Sequence, residues 1–152
     1  MAFRNNLSKL FSQPFLFYVW LLPAWIMLGL SRLAILLLSF KRIARWLGVH
    51  EGIATQVPIV AKRHERMAAS IGRATRVAAR FTPWTSNCFP QAITARLILA
   101  LYGIPHALYF GVKRDGEADE LLAHAWVVSG RSNVTGGRSF GKYTTVGCFV
   151  SL

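Results

Sequence analysis

Acidic residues are scarce: Asp and Glu number 6 in 152 residues, against 18 Lys and Arg, and none follows Glu120. Cysteine is nearly absent as well. Cys88 and Cys148 alone cannot form a disulfide scaffold. No C-x-x-C or H-x-x-x-H pair occurs, which argues against zinc, and no glycine-rich phosphate loop occurs, which argues against a nucleotide site. We therefore expect neither metal nor cofactor. What is present is apolar. Hydrophobic residues make up 53% and aromatic residues 12%, enough to bury a sizeable core and to exclude a disordered chain. The length suits a single domain spanning 1–152.

The positive charge is unevenly placed. Residues 1–96 hold 13 basic and 2 acidic residues, whereas residues 97–152 hold 5 and 4. A basic front half suits an anionic partner, either anionic lipid or an acidic protein surface, or is simply a solvated face. No nucleic-acid-reading motif accompanies it, so nucleic acid is not expected as a partner.

Three zones follow along the chain. Residues 1–57 form an apolar N-terminal region. From Pro14 to Ser31 there are 18 residues without a charge, followed by Arg32, a second apolar run to Phe40, and the basic segment KRIARWLG. Eighteen apolar residues reach the threshold for a membrane span, and no convincing cleavage site marks a secretory signal. Three readings stay open for residues 14–40: a span, a helix lying on a membrane surface, or buried helices. In each, a break is expected near Pro23 or Arg32. Residues 59–81 read as one basic amphipathic helix opened by Pro58. Its apolar stripe is Ile59, Met67, Ile71, Val77 and Ala78, and Lys62, Arg63, Arg66, Arg73, Arg76 and Arg80 cover the rest. Within the 58–152 core, a helix begins near Cys88 and ends at Gly103 and Pro105. Strands are expected at 106–112, 121–129 and 143–150, around an Asp-Gly turn. Helices leading into an antiparallel sheet make an α+β fold.

The chemistry gathers in this last zone. Cys88 opens a helix, where free N–H groups and the helix's positive end favour a thiolate, the nucleophilic form. His124 lies on a strand between Ala123 and Ala125, and Trp126, two residues on, shares its face and could wall it from water. A helix-borne Cys with a strand-borne His is the arrangement of papain-like chemistry, with the two side chains expected within roughly 3–5 Å. Asn87, Gln91 and Trp84 are candidates for binding substrate or an oxyanion, against a plain capping and packing role. Cys148 reads as core. His50, His64 and His106 read as surface or loop residues, and Thr135-Gly136-Gly137 as a turn.

NCFPQAITARLILALYGIPHALYFGV (87–112) and LLAHAWV (121–127) carry a resemblance. The Cys opening a helix, Ala92, the Gly103-Ile104-Pro105 stop, Gly111-Val112 and Ala123-His124-Ala125-Trp126-Val127 resemble the lasso-peptide leader peptidases. These are the transglutaminase-like, microcin-processing B proteins. VAARFTPW (77–84) and LLLSFKRIARWLG (36–48) resemble their basic helix and apolar N-terminal helices. The chain resembles the stand-alone protease form, without an added recognition domain. The resemblance implies a transglutaminase-like cysteine protease core with Cys88 as nucleophile and His124 as base. It also implies a cytoplasmic setting, with a membrane surface as an open alternative. Its partners would be a precursor peptide, a leader-binding recognition protein and a lasso cyclase. The family expects an Asp after the His, and this chain has none. Asn133, as an amide, or the Thr135 hydroxyl could orient His124, or a carboxylate of Asp115, Asp119 or Glu120 could fold back. Two rivals remain: a non-catalytic membrane-associated scaffold of the same fold, and a Cys/His amidase or acyltransferase.

Overall fold

The computed structural model describes residues 15–53, 56–114 and 120–152. Among these described residues, four helices and five strands follow in order. They are α1 (Phe15–Leu37), α2 (Phe40–Ala44), β1 (Val49–His50), α3 (Lys62–Ala79), α4 (Cys88–Leu101), β2 (His106–Arg114), β3 (Leu121–Ser129), β4 (Ser132–Thr135) and β5 (Thr144–Ser151). The strands form one antiparallel sheet in the order β1-β5-β2-β3-β4. The fold is α+β, with an apolar N-terminal helix.

α1 runs unbroken through Pro23 and Arg32. The break expected at those residues falls instead at Ser39, whose extended backbone starts α2. Pro23 removes one helical N–H, but the turns on either side are held by packing. Phe17, Ala24 and Leu28 are buried on one side of α1, and that side packs along α3 and α4. Polar bonds hold it as well: Trp20 Nε1 donates to Tyr102 Oη at 2.6 Å, Trp25 Nε1 donates to the Phe81 carbonyl at 3.1 Å, and the Ser31 and Thr94 hydroxyls meet at 3.0 Å.

α3 is shorter than the periodicity suggests. It starts at Lys62, with Ala61 extended at its N-cap, so Ile59 lies outside it and is fully exposed. Small residues line its buried side, among them Ala68, Gly72, Ala74 and Ala78. They let the helix come close to β4: a Cβ at Gly72 would lie 2.1 Å from the Val134 carbonyl oxygen. The Arg76 guanidinium donates to that same carbonyl. All six of the basic residues named for this helix keep their exposed positions.

α4 ends as its sequence indicates. Gly103 takes φ +60, its N–H bonds the Ala100 carbonyl, and the Ile104 N–H bonds the Leu99 carbonyl, each at 3.0 Å. That pair is a Schellman stop. α3 and α4 cover one face of the sheet, in one apolar cluster with Leu108, Ala125, Val127, Val134 and Phe149, and α1 packs on these two helices. The other face carries Ala107, Tyr109, Trp126, Val128, Cys148 and Val150. Gln56, which follows β1, lies against it. Gly52 and Glu51 exchange backbone bonds with Cys148, and the Gln56 carbonyl accepts from the Tyr109 hydroxyl. The expected turn at 115–119 lies outside the described residues.

Candidate active site

Cys88 is the first residue of α4, a free and half-buried thiol. The first helical bond runs from the Gln91 N–H to the Asn87 carbonyl at 3.3 Å. The N–H groups of Cys88 and Phe89 are therefore left over, while Pro90 has none to leave. The preceding loop is braced from both sides. Gln91 Nε2 donates to the Ser86 carbonyl at 2.8 Å, and Thr82 Oγ1 reaches Ser86 Oγ at 2.9 Å and the Ala79 and Trp84 carbonyls at 3.0 Å. Gln91 thus positions the loop that delivers Cys88. Asn87 is exposed at the N-cap without a side-chain cap bond.

His124 pairs across β3 and β2 with Gly111, and Trp126 pairs with Tyr109. The ring of His124 stacks on Tyr143, with centroids 4.7 Å apart, and on Trp126 at 6.0 Å. Gly111 makes room for that stack: a Cβ there would lie 2.7 Å from the Trp126 ring and 2.9 Å from Tyr143 Cβ. His124 Nε2 lies 3.0 Å from the Gly136 carbonyl oxygen. A carbonyl can only accept, so Nε2 carries the proton and the neutral ring leaves its lone pair on Nδ1. Gly136 and Gly137 take φ +76 and +68, a left-handed turn that aims this carbonyl at the ring. Ser139 Oγ donates to the same carbonyl at 2.7 Å.

The orienting partner of His124 in the structure is thus a backbone carbonyl, which corrects the expectation of Asn133 or Thr135. Asn133 is exposed and pairs with Val128, four residues beyond His124 and so about 13 Å along the strand. Thr135 pairs with Val127, which lies on the helix-covered face, and its Oγ1 is buried without a partner. Glu120 is exposed just before β3, and Asp115 and Asp119 lie outside the described residues. Sequence reasoning read Thr135-Gly136-Gly137 only as a turn, without a role at His124, and passed over Ser139 and Tyr143. The Gly-Gly pair twelve and thirteen residues after the histidine marked the turn but not where its carbonyl would point.

The structure brings Cys88 and His124 to the same end of the helix–sheet layer. The Phe89 ring meets the Phe110 ring at 5.3 Å, and Phe110 adjoins Gly111, the partner of His124. They arrive there on different sides. α4 packs with Ala125 and Val127, the residues alternate to His124, while His124 points with Trp126 to the other face. Among the described residues no hydrogen bond joins Cys88 to His124.

Trp84 is a packing residue. Its ring lies 4.9 Å from that of Trp25 and close above Gly29, and its Nε1 is buried without a partner. Trp126 is fully buried between Tyr109 and His124. Cys148 is buried, as expected of a core residue, and burial pushes its thiol up from its ordinary range. His106, expected at the surface or in a loop, is fully buried on β2. Its Nδ1 meets the Ile104 carbonyl at 2.7 Å, its Nε2 has no partner, and desolvation lowers its pKa to about 4.

The family model of the transglutaminase-like superfamily matches residues 34–147. The match takes in α2, α3, α4 and most of the sheet, with Cys88, His124 and Gly136 inside it. No curated protein and no solved structure matches the chain. The chain belongs to the transglutaminase-like superfamily.

Proposed function

As a member of the transglutaminase-like superfamily, this chain is, we propose, a cysteine peptidase that removes the leader from a ribosomally made lasso-peptide precursor before ring closure. The observation that carries the chemistry is the anchoring of His124. Its Nε2–H is held by the Gly136 carbonyl, which leaves Nδ1 as the ring nitrogen that this reading requires as the base. The substrate rests on the resemblance of residues 77–128 to the leader peptidases.

The reaction balances with these groups alone. Nδ1 of His124 takes the Cys88 thiol proton as sulfur bonds to the scissile carbonyl carbon. The leftover N–H groups of Cys88 and Phe89 are the donors available to the oxyanion. As the C–N bond breaks, the imidazolium returns its proton to the leaving amine, the new amino terminus. Water then attacks the thioester, releasing the leader carboxylate and the free thiol. A leader-binding protein would deliver the precursor, and a cyclase would use the product.

One observation favours a second reading, a binding-only member of the fold. The sheet's pleat turns His124 away from the packed side of α4, and no bond joins it to Cys88. The two readings separate in one experiment without substrate. Iodoacetamide alkylation of Cys88 is followed from pH 5 to 9 in the wild-type chain and in His124→Ala. A Cys–His pair gives fast alkylation at acidic pH that His124→Ala removes. Identical pH profiles would leave the scaffold reading standing. With precursor and leader-binding protein added, the peptidase reading requires a single cut seen by mass spectrometry, absent in Cys88→Ala.

A further inference from the structure

The side of α1 that faces away from the body is apolar along its whole length. Val19, Leu22, Ile26, Leu30, Leu33 and Leu37 recur every three or four residues and are all exposed, Leu22 at 67% and Leu37 at 70%. This stripe is on the order of 30 Å long at 1.5 Å per residue. The apolar surface widens at both ends. Phe81, 72% exposed, shares a groove with Leu22, and Trp46, 58% exposed, shares another with Leu30. A patch of this extent marks an interaction site.

Charge identifies what covers it. Lys41, Arg42 and Arg45 follow directly on α1, all exposed, and Arg80 precedes Phe81. The only acidic residues before position 97 are Glu51 and Glu65, and the chain carries a net charge of +12. An apolar stripe, an exposed Trp at its end and a cluster of cations beside it suit an interfacial membrane helix. α1 is long and apolar enough to cross a bilayer by length and composition, but its other side is committed. Phe17, Ala24 and Leu28 are buried there, Ser31 is bonded to Thr94, and α3 lies alongside. Crossing would draw the arginines of α3 into hydrocarbon, where charge is costly. We propose that α1 lies flat in the surface of an anionic membrane, its exposed stripe in the acyl region and Lys41, Arg42 and Arg45 at the headgroups.

The test uses the full chain and vesicles of phosphatidylcholine with or without phosphatidylglycerol. The chain should sediment with the anionic vesicles, lose binding as salt rises, and come off in alkaline carbonate. Lys41→Gln/Arg42→Gln/Arg45→Gln should weaken binding about a hundredfold. These residues are exposed and outside the core, so folding is not at issue, and circular dichroism checks it. Leu22→Gln/Leu30→Gln should weaken binding at least tenfold at any salt concentration. Equal binding to neutral vesicles overturns the proposal, as does retention after carbonate, which means a span. A chain that ignores vesicles also overturns it: the stripe then serves a second copy or an acidic protein, and a dimer by light scattering identifies the former.

Discussion

His106 opens β2 and His124 lies on β3 opposite Gly111, further along β2, and each holds one ring nitrogen on a backbone carbonyl. There the likeness stops. His106 is 1% exposed, lies near Arg96 and has its second nitrogen buried without a partner. His124 is half-buried, stacked on Tyr143 with Trp126 beside both, and among the described residues only its Nε2 makes a hydrogen bond. One carbonyl contact therefore builds a neutral structural group in one place and an oriented base in the other. The second nitrogen's surroundings decide which, because desolvation disfavours the imidazolium and a base must become one.

The largest expected effect tests the functional side of this contrast. Cys88→Ala should lower leader cleavage by roughly 10⁴-fold or more, and His124→Ala nearly as much, with the double variant no worse than the worse single one. Quantified cleavage of the precursor by mass spectrometry checks this. Full activity in Cys88→Ala would end the peptidase reading.

His106 sets the structural side. Its folded pKa of about 4 lies below the 6.5 of the exposed group. Between these values the unfolded chain binds the proton that the folded chain refuses. Stability is thus fully present above about pH 6.5 and declines as the pH falls toward 4, by about 3 kcal/mol in all. Urea denaturation at several pH values should show this loss, and His106→Leu should flatten it. A slope unchanged in His106→Leu would assign the acid sensitivity elsewhere.

Ser139→Ala sharpens the comparison at smaller scale. Removing the hydroxyl leaves the Gly136 carbonyl to His124 alone, at a cost of about 1 kcal/mol in stability by chemical denaturation. Turnover should fall by less than tenfold, with kcat changing more than KM, since the ring loses a positioning contact rather than a reacting one. Asn133→Ala, last in size, should change cleavage by no more than about twofold, because its side chain faces solvent some 13 Å from the ring. A large loss there would restore Asn133 as the partner of His124.

Much of this was legible in the chain. The helix starting at Cys88, its stop at Gly103 and the 121–129 strand follow from local signals, namely proline near the first turn, glycine after the last, and alternation along the strand. Those signals act within a few residues, and sequence carries them intact. The continuity of α1 through Pro23 is different, since it depends on contacts with α3 and α4 that outweigh one missing N–H. The burial of His106 is different too, because it needs β2 placed beneath a helix.

The sequence by itself determined the α+β order, the basic front half, and a nucleophile-type Cys with a strand His. Each is a matter of composition or short-range geometry. Only the tertiary structure decided that the Gly136 carbonyl, not a side chain, holds His124, and that one stripe of α1 is buried while the other is exposed. Sequence spacing names which groups can share a face. It does not say which backbone atom a distant turn will bring to a ring, or which side of an all-apolar helix the rest of the chain will cover. Those outcomes are set by long-range packing, which is fixed only when the helices and sheet close on one another.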